Sequence, residues 1–515
     1  MPPALFSLAL ALLFQDPFIG DWDGLDYTVL AVRGQPSSMA LGRSLFIFFN
    51  HALYLAGRSL FHLRAEHAYV LFKYVVILTA PLVTKACWAL TRSLASSESE
   101  KRSHMAATIA ALLLASSPSF IIYSGQVMTD VPSLLFVTVA LLLHLKGLRS
   151  RRWWLVLAGA ALLGAGANVR ETVAFYGPWL MVAPLVCGWR LRRGRELLVI
   201  ALSCLVFALC AFGPFLLWFW TDAGGFRASW YSWRDSGQAE AARHPVTWRN
   251  LLPFLFYSFL LGPMVAIALP VAMWREWRAR GLTPMLLLAL VGLWANALLF
   301  FNYSTIINWR YFLTGLPAFV PIVAAYFLSS QTRKLVDERR AFLSVILGIA
   351  FVTALVAVYA KPTSKENIKR RALTRDYRER LMLLPPDAVL MAGGQTVAVT
   401  YWRGLGLGQW TEIGTGAGWP TQPLDVVIND YLKQGRRVFL DLDARWWSPC
   451  GWQLEETLHV VELKERFRFR QLSGTIYEIR PLADDTARDA PPLESLLPEQ
   501  RPLETSKCVG LSQLR

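Results

Sequence analysis

The sequence predicts a polytopic α-helical membrane protein of about 11 transmembrane helices, with a small C-terminal extracytoplasmic α/β domain. Its 515 residues are 54% hydrophobic and 17% charged, and their mean hydropathy is +0.37. These values are typical of membrane proteins and differ from those of ordinary soluble domains. Apolar runs such as 104–123, 197–220 and 341–360 have about the 20 residues that cross a hydrocarbon layer of about 30 Å.

The first helix is predicted in the N-terminal segment "MPPALFSLALALLF". We favour a transmembrane helix over a signal peptide because this segment has no basic region before it and no clear cleavage site after it. Segment 43–63 is amphipathic, with Asn50, His51, Arg58 and His62 interrupting it, and is predicted to lie in the outer membrane interface. The other predicted spans are 67–90, 104–123, 129–145, 153–168, 172–189, 197–220, 251–273, 283–302, 311–330 and 341–360.

Lys and Arg are concentrated in alternate loops of this scheme, for example "WRLRRGRE" and "QTRKLVDERR". The positive-inside rule then places the amino terminus in the cytoplasm and the C-terminal domain outside, in a bacterial inner membrane. The net charge of +16 therefore reflects orientation in a membrane and does not indicate nucleic acid as a partner.

Three regions are predicted from the changes in composition. Residues 1–360 form the transmembrane part, in which we expect the catalytic site. Residues 361–481 contain strand-like runs such as "RRVFLDLDA" and "TIYEIRP", separated by helix-compatible segments, which predicts an α/β domain. Residues 482–515 are rich in Pro and acidic residues and are predicted to be disordered.

The densest acidic cluster of the transmembrane part is "GDWDGLDY", directly after the first apolar segment. Asp21 and Asp23 form an Asp-x-Asp pair that the topology places on the outer face. A carboxylate there could act as a general base, or the pair could belong to a solvated loop with Asx turns. The pair could also bind a divalent cation, whereas the seven histidines show no zinc-site spacing.

Further charged residues occur where other predicted outer loops meet apolar runs. Asp130 begins a helix, where it could cap the helix or serve as a second acid on the same face as the first cluster. Arg170 could bind phosphate, or pair with Glu171 and anchor the helix ends. Arg310 and Tyr311 begin a later span, where an Arg could simply reach toward the headgroups.

These stretches together resemble a known family. The pattern "DWDGLDY", then "YSGQVMTDVPSLLF", "NVRET" and "NWRYFLTGLPAF" is similar to the GT-C superfamily of membrane glycosyltransferases. Within that superfamily it looks like the group of protein mannosyltransferases and lipid A aminoarabinose transferases. The resemblance covers about residues 1–330, in spacing and topology more than in strict sequence.

The resemblance implies roles for the acidic residues. Asp23 is the implied catalytic base, and Tyr27 keeps its place in the family pattern, but Gly24 stands where the family usually has a Glu. This departure leaves Asp21 open as the alternative base. Asp130 matches the second acidic position and is expected to orient the acceptor or the donor sugar.

The resemblance also implies that Arg170, Arg310 and Tyr311 bind the donor phosphate, with Arg170 assigned by charge alone. The expected activity is inverting transfer of a sugar from a polyprenyl-phosphate-linked donor to a hydroxyl of a glycolipid, glycan or protein. The most similar relatives do not generally depend on a metal ion. "ARWWSPCG" lacks the Trp-Trp-Asp motif of oligosaccharyltransferases, which argues against transfer of a whole oligosaccharide.

A multi-span transporter or lipid flippase with a polar cavity at its outer face is the alternative. Transporters of this size usually show internal repeats and helices broken near the middle of the membrane, and the sequence shows neither clearly. The acidic residues also collect on one face, which favours the enzyme.

Overall fold

A computed structural model describes most of the chain, and the statements below concern the residues that it describes. These are residues 2–15, 22–35, 43–96, 98–188, 194–243, 262–302, 313–335, 339–340, 342–354, 378–391, 396–413, 422–443, 459–483 and 491–493. The chain divides into two compact units, Met1–Ile368 and Lys369–Arg515, which are treated separately.

All regular secondary structure in the described residues of the first unit is helical. Its helices are α1 (Pro2–Leu13), α2 (Trp22–Arg33), α3 (Ser44–Phe61), α4 (Ala68–Leu94), α5 (Glu100–Ala115), α6 (Pro118–Tyr123), α7 (Asp130–Ser150), α8 (Trp153–Ala167), α9 (Gly177–Val186), α10 (Gly194–Thr221), α11 (Ala223–Arg243), α12 (Pro263–Arg280), α13 (Pro284–Asn302), α14 (Leu316–Leu335) and α15 (Phe342–Ala354). A 3₁₀ helix, Glu171–Tyr176, connects α8 to α9.

Within the described residues, three helical segments are long and apolar enough to cross a membrane: Ala65–Leu94, Asp130–Ser150 and Gly194–Thr221. Shorter apolar helices accompany them, including Pro2–Leu13 and Trp153–Ala167. The predicted helical membrane architecture is therefore confirmed in its coarse form. The number of about 11 spans stays a prediction.

Two predicted spans are not single continuous helices. Segment 104–123 is divided between α5 and α6 at Ser116 and Ser117, and Pro118 lies at the start of α6. Segment 172–189 forms the 3₁₀ helix and the 10-residue α9, which contains Pro184. Ten residues of α-helix extend only about 15 Å, because each adds about 1.5 Å. Apolar composition predicted these spans, but it does not register the prolines at the starts of α6 and α9.

Helices α7 and α8 form the antiparallel hairpin that positions the site. A Cβ atom built on Gly159 of α8 would lie 2.7 Å from the main-chain oxygen of Ala140 in α7. A Cβ atom on Gly147 of α7 would lie 2.7 Å from the main-chain nitrogen of Val156 in α8. Small residues let the two backbones touch, as in other membrane helix pairs. The start of α7 and the end of α8 therefore lie at the same end of the hairpin.

Helix α3 coincides with the predicted interfacial segment 43–63. It exposes Leu45, Phe48, Phe49 and Leu55, while Asn50 is buried and donates to the carbonyl of Phe46. Exposed apolar residues on a helix of mixed composition are typical of helices in the membrane interface. The interfacial placement itself stays a prediction.

Lysines near the ends of a membrane span are expected to extend toward the headgroups, and the two lysines of α4 differ in this respect. Lys85 is exposed, in agreement with that expectation. Lys73 is buried at 5% exposure, so the expectation was wrong for Lys73. Its position among the packed helices, and not its distance from the end of the span, determines its surroundings.

The second unit contains a five-stranded sheet in the order β2-β1-β3-β5-β4. The strands are β1 (Val389–Met391), β2 (Thr411–Ile413), β3 (Val438–Asp441), β4 (Phe467–Ser473) and β5 (Ile476–Pro481). Strands β2, β1 and β3 are parallel, and β5 and β4 add antiparallel pairs. Helices α16 (Thr396–Gly404) and α17 (Leu424–Lys433) occupy the connections from β1 to β2 and from β2 to β3.

An ion pair fixes the end of β3. Arg380 Nη1 lies 2.8 Å from Asp441 Oδ1 and also donates to the hydroxyl of Thr475 at 2.7 Å, while its Nη2 lies 3.0 Å from Asp443. The predicted boundary at residue 361 and most of the predicted tail 482–515 lie outside the described residues, so they stay predictions.

Candidate functional site

The α7–α8 hairpin brings Asp130 and Arg170 into direct contact. Asp130 is the first residue of α7, and Arg170 follows the end of α8. Arg170 Nη1 lies 2.7 Å from Asp130 Oδ2, and both side chains are 2% exposed. Arg170 also donates to the hydroxyl of Thr129 at 3.3 Å. The sequence placed both residues on one face of the membrane, and the structure shows that they form a buried ion pair.

Glu171, the next residue, pairs with a different partner. Arg43 Nη2 lies 3.3 Å from Glu171 Oε1, so the pairing of Arg170 with Glu171 considered from the sequence is replaced by two separate ion pairs. The Arg43 guanidinium also lies 5.9 Å from the centre of the Tyr27 ring. Sequence reasoning missed Arg43. The sequence feature that could have pointed to Arg43 as a site residue is its position at the start of the amphipathic segment 43–63.

The start of α3 is fixed to the end of α8 by the main chain. The Leu45 amide donates to the carbonyl of Asn168 at 2.9 Å. Asn168 Nδ2 in turn donates to the carbonyl of Cys210 in α10 at 2.9 Å. Arg43 is therefore held at the same end of the helices as Arg170.

Helix α2 is packed against the loop that precedes Asp130. A Cβ atom built on Gly24 would lie 3.0 Å from the carbonyl oxygen of Val127, and one on Gly125 would lie 2.6 Å from the Cα of Gln15. Loop 124–129 thus touches both α2 and the end of α1. Gly24 gives the space for this contact, which explains in physical terms why a larger residue is absent there.

Helix α2 carries two half-buried carboxyl groups, those of Asp23 and Asp26. Burial raises the pKa of Asp26, the nearby charge of Asp23 adds to the increase and Arg43 opposes it, so that the pKa is about 6. Asp26 belongs to the acidic cluster of the sequence but received no role there. Its burial and its neighbours could be seen only in the folded chain.

Three predicted site residues, Asp21, Arg310 and Tyr311, lie outside the described residues. Thr314, three residues after Tyr311, is described, and its carbonyl accepts a hydrogen bond from the Tyr176 hydroxyl at 2.7 Å. Its own hydroxyl lies 3.2 Å from that of Thr172. Among the described residues, His, Cys, Asp and Glu form no group of three or more that could hold a metal ion.

Comparison with known proteins identifies a related family and a related fold. The family model of dolichyl-phosphate-mannose-protein mannosyltransferases matches residues 99–218, which contain the α7–α8 hairpin. The structure of ArnT from Cupriavidus metallidurans in the apo state has a TM-score of 0.56 and 15% sequence identity, over 92% of this chain and 97% of that chain. This chain has the fold of GT-C membrane glycosyltransferases.

The resemblance to the GT-C superfamily predicted from the sequence is therefore confirmed at the level of the fold. The archaeal oligosaccharyltransferase AglB from Archaeoglobus fulgidus, in complex with an inhibitory peptide and a dolichol-phosphate, matches with a TM-score of 0.47 and 13% identity. That match covers 97% of this chain and 76% of AglB. No curated protein matches the sequence.

Proposed function

We propose that this chain is an inverting glycosyltransferase that moves a sugar from a polyprenyl-phosphate-linked donor to a hydroxyl acceptor at the outer face of the inner membrane. The contact between Gly24 of α2 and Val127 carries the proposal, because it joins the helix of Asp23 to the loop that leads to Asp130. Asp23 and Asp130, from distant parts of the sequence, are thus linked through this contact at one end of the α7–α8 hairpin. The mannosyltransferase family match over this hairpin supports the same activity.

Asp23 is the proposed base. It removes the proton from the acceptor hydroxyl while the acceptor oxygen forms a bond to the anomeric carbon of the donor sugar. The bond from that carbon to the phosphate oxygen breaks, and its electron pair leaves with the lipid phosphate. Because the acceptor attacks from the side opposite the leaving group, the anomeric configuration inverts. Asp21 stays the alternative base.

Arg43 is the cation that we add to the proposed phosphate site. Arg170 is 2% exposed and its charge is balanced by Asp130 at 2.7 Å, so its first effect is to hold Asp130 in place. The Arg43 side chain is 11% exposed and stands at the start of α3, whose exposed apolar residues suit the membrane interface. A polyprenyl phosphate carries its phosphate at that level, and a guanidinium can bind it with two hydrogen bonds. Arg310 and Tyr311 remain proposed phosphate ligands.

The acceptor is proposed as a hydroxyl of a glycolipid, a glycan or a protein, and the reaction is proposed to need no organic cofactor. A phosphate leaving group needs no protonation, so positioning, one base and stabilisation of phosphate charge supply the chemistry. Asp21 and Asp23 are the residues at which a divalent cation would act if one takes part.

The test is donor turnover by the purified protein in lipid nanodiscs. A panel of polyprenyl-phosphate sugars is incubated with wild type, Asp23→Asn and Asp130→Asn, and release of polyprenyl phosphate is measured. The matched control is Asp430→Asn, because Asp430 is an exposed residue of α17 in the second unit. We expect Asp23→Asn to lose at least about a hundredfold in kcat, since general base catalysis contributes about that factor or more. Asp130→Asn should also lose turnover, because Arg170 then stays buried without its carboxylate.

Turnover that survives Asp23→Asn would remove Asp23 from the role of base. No cleavage of any donor, together with movement of a lipid-linked sugar across liposome membranes, would overturn the enzyme in favour of a flippase. Analysis of the anomeric configuration in the product checks inversion separately.

A further inference from the structure

Helix α10 contains a proline, and this proline deprives one main-chain carbonyl of its helical donor. Pro214 lies within Gly194–Thr221, and proline has no N–H group. It therefore cannot donate to the carbonyl of Cys210, four residues earlier, as a residue in a regular helix would. In a membrane such a carbonyl needs a donor from a neighbouring element, because the hydrocarbon layer offers none.

Asn168 supplies that donor from the end of α8. Its Nδ2 atom donates to the Cys210 carbonyl at 2.9 Å and to the Ala211 carbonyl at 3.2 Å. The two helices also touch one turn earlier, since a Cβ atom built on Gly164 of α8 would collide with the main-chain oxygen of Phe207 in α10. Asn168 is 2% exposed. One buried side-chain amide therefore binds the end of α8 to the proline-containing part of α10.

Asn168 also carries the connection to α3. The amide of Leu45 donates to the Asn168 carbonyl at 2.9 Å, and the Ser44 hydroxyl lies 3.5 Å from Asn168 Oδ1. Arg43 immediately precedes this turn of α3, and Arg170 follows Asn168 by two positions. Both arginines are therefore attached to the short segment that the Asn168 side chain fixes to α10.

We propose that Asn168 is a positioning residue that sets where Arg43 and Arg170 stand in the donor site. The proposal rests on the proposed function, in which Arg43 binds the donor phosphate and Arg170 holds Asp130. Glu171 of the same segment pairs with Arg43 at 3.3 Å, so the segment also contacts the guanidinium directly. A guanidinium makes two parallel hydrogen bonds to phosphate only in a fixed geometry, so a shift of Arg43 would weaken donor binding.

Providing a donor for a buried carbonyl would by itself be a structural role, and a second substitution separates the two roles. Pro214→Ala restores an N–H group at the position that donates to Cys210 in a regular helix. The Cys210 carbonyl then has a donor whether or not Asn168 is present. In this background Asn168→Ala removes the link between α10 and the segment of Arg170 without leaving the Cys210 carbonyl unsatisfied.

The experiment measures KM for the lipid-linked donor in two pairs of proteins in nanodiscs. The first pair is wild type and Asn168→Ala, and the second is Pro214→Ala and Asn168→Ala/Pro214→Ala. We expect KM to rise about tenfold within each pair, the effect of weakening one hydrogen bond to a charged group. KM is the informative quantity, because a loss of folded protein lowers the measured rate and leaves KM unchanged.

The second pair decides the question, also if Asn168→Ala alone does not fold. A rise in KM within that pair supports positioning of the arginines. Equal KM values for Pro214→Ala and Asn168→Ala/Pro214→Ala would show that Asn168 only satisfies the carbonyl, and they would overturn the proposal whatever the first pair shows.

A double-mutant cycle tests whether Asn168 acts through Arg43. In the Arg43→Gln background, Asn168→Ala should raise KM by less than about twofold, because the effects of residues that act as a unit are not additive. Full multiplication of the two effects would overturn the proposal.

The matched control is Asn50→Ala, since Asn50 is another buried asparagine and its amide donates within its own helix, to Phe46. This variant should leave KM unchanged. A rise in KM equal to that of Asn168→Ala would show a general effect of losing a buried amide and would also overturn the proposal.

Amide hydrogen exchange gives a readout that needs no turnover. Peptides containing Leu45 should exchange about tenfold faster in Asn168→Ala/Pro214→Ala than in Pro214→Ala, because the acceptor of the Leu45 amide is then no longer fixed. Equal exchange would overturn the proposal. If exchange responds as expected but no donor is cleaved, the proposed function fails and the positioning of α3 by Asn168 stands.

Discussion

Arg170 and Asp130 form a buried ion pair in which Arg170 Nη1 lies 2.7 Å from Asp130 Oδ2 and both side chains are 2% exposed. The pair joins the start of α7 to the segment after α8, directly beside the Arg43–Glu171 ion pair. Breaking a buried pair leaves an uncompensated charge, whereas replacing both partners by apolar residues removes that cost.

Asp130→Ala should therefore destabilise the protein by about 3–5 kcal/mol, because Arg170 stays buried without its carboxylate. The double variant Asp130→Leu/Arg170→Met should recover most of the stability and still lack donor turnover. Thermal or denaturant unfolding in detergent or nanodiscs measures the stability of both variants, and the donor assay measures turnover. A double variant as unstable as Asp130→Ala would show that the pair does more than balance charge.

Arg43→Gln should raise the KM for the lipid-linked donor by about tenfold to a hundredfold, because a hydrogen bond to a charged phosphate contributes about 1.5–3 kcal/mol. Arg43→Lys should retain part of the affinity, since a lysine keeps the charge without the planar pair of donors. Steady-state kinetics with the donor measure the effect. Arg58→Gln is the matched control, because Arg58 is an exposed arginine of the same helix. Equal KM values for Arg43→Gln and wild type would remove Arg43 from the phosphate site.

Gly24→Ala should change stability little and lower turnover. An alanine is favoured over glycine in a helix by about 1 kcal/mol. The new Cβ atom, however, would lie 3.0 Å from the Val127 carbonyl, so α2 or loop 124–129 must move by a few tenths of an ångström. Because that loop leads to Asp130, kcat should decrease more than KM changes.

The control for this variant is Gly213→Ala in α10, where a Cβ atom would meet nothing within 4 Å. Gly213→Ala should gain the stability that alanine gives over glycine in a helix and should keep full turnover. Full turnover in Gly24→Ala as well would show that the contact with Val127 tolerates the shift.

Donor turnover should continue in excess EDTA, since a phosphate leaving group and one base are sufficient for the proposed chemistry. Addition of Mg²⁺ or Mn²⁺ after dialysis is the second arm of the measurement. A loss of activity in EDTA that Mn²⁺ restores would instead indicate a cation at Asp21 and Asp23.

The sequence predicted the parts of the fold that depend on local composition. Length and hydropathy identified α4, α7 and α10, because an apolar helix of about 20 residues carries its own signal. The same criterion treated 172–189 as one span, since it does not weigh the prolines near the start and inside α9.

The candidate site was predictable only to the level of the membrane face. Asp23, Asp130 and Arg170 were all expected at the outer face, and the structure adds that Asp130 and Arg170 touch. The Arg43–Glu171 pair joins residues 128 positions apart, and no local pattern contains that information. The burial of Asp26 likewise depends on how α2 packs, which composition does not encode.

The row of exposed apolar residues on α3 has a mechanical consequence. Arg43 directly precedes α3, and the first turn of this helix is held to Asn168 by a main-chain hydrogen bond of 2.9 Å. A helix embedded in the headgroup layer adjusts its tilt when the acyl chains around it become shorter or longer. Such a tilt would be transmitted directly to the segment of Arg170 and Glu171, so we expect the proposed activity to depend on the thickness of the surrounding bilayer.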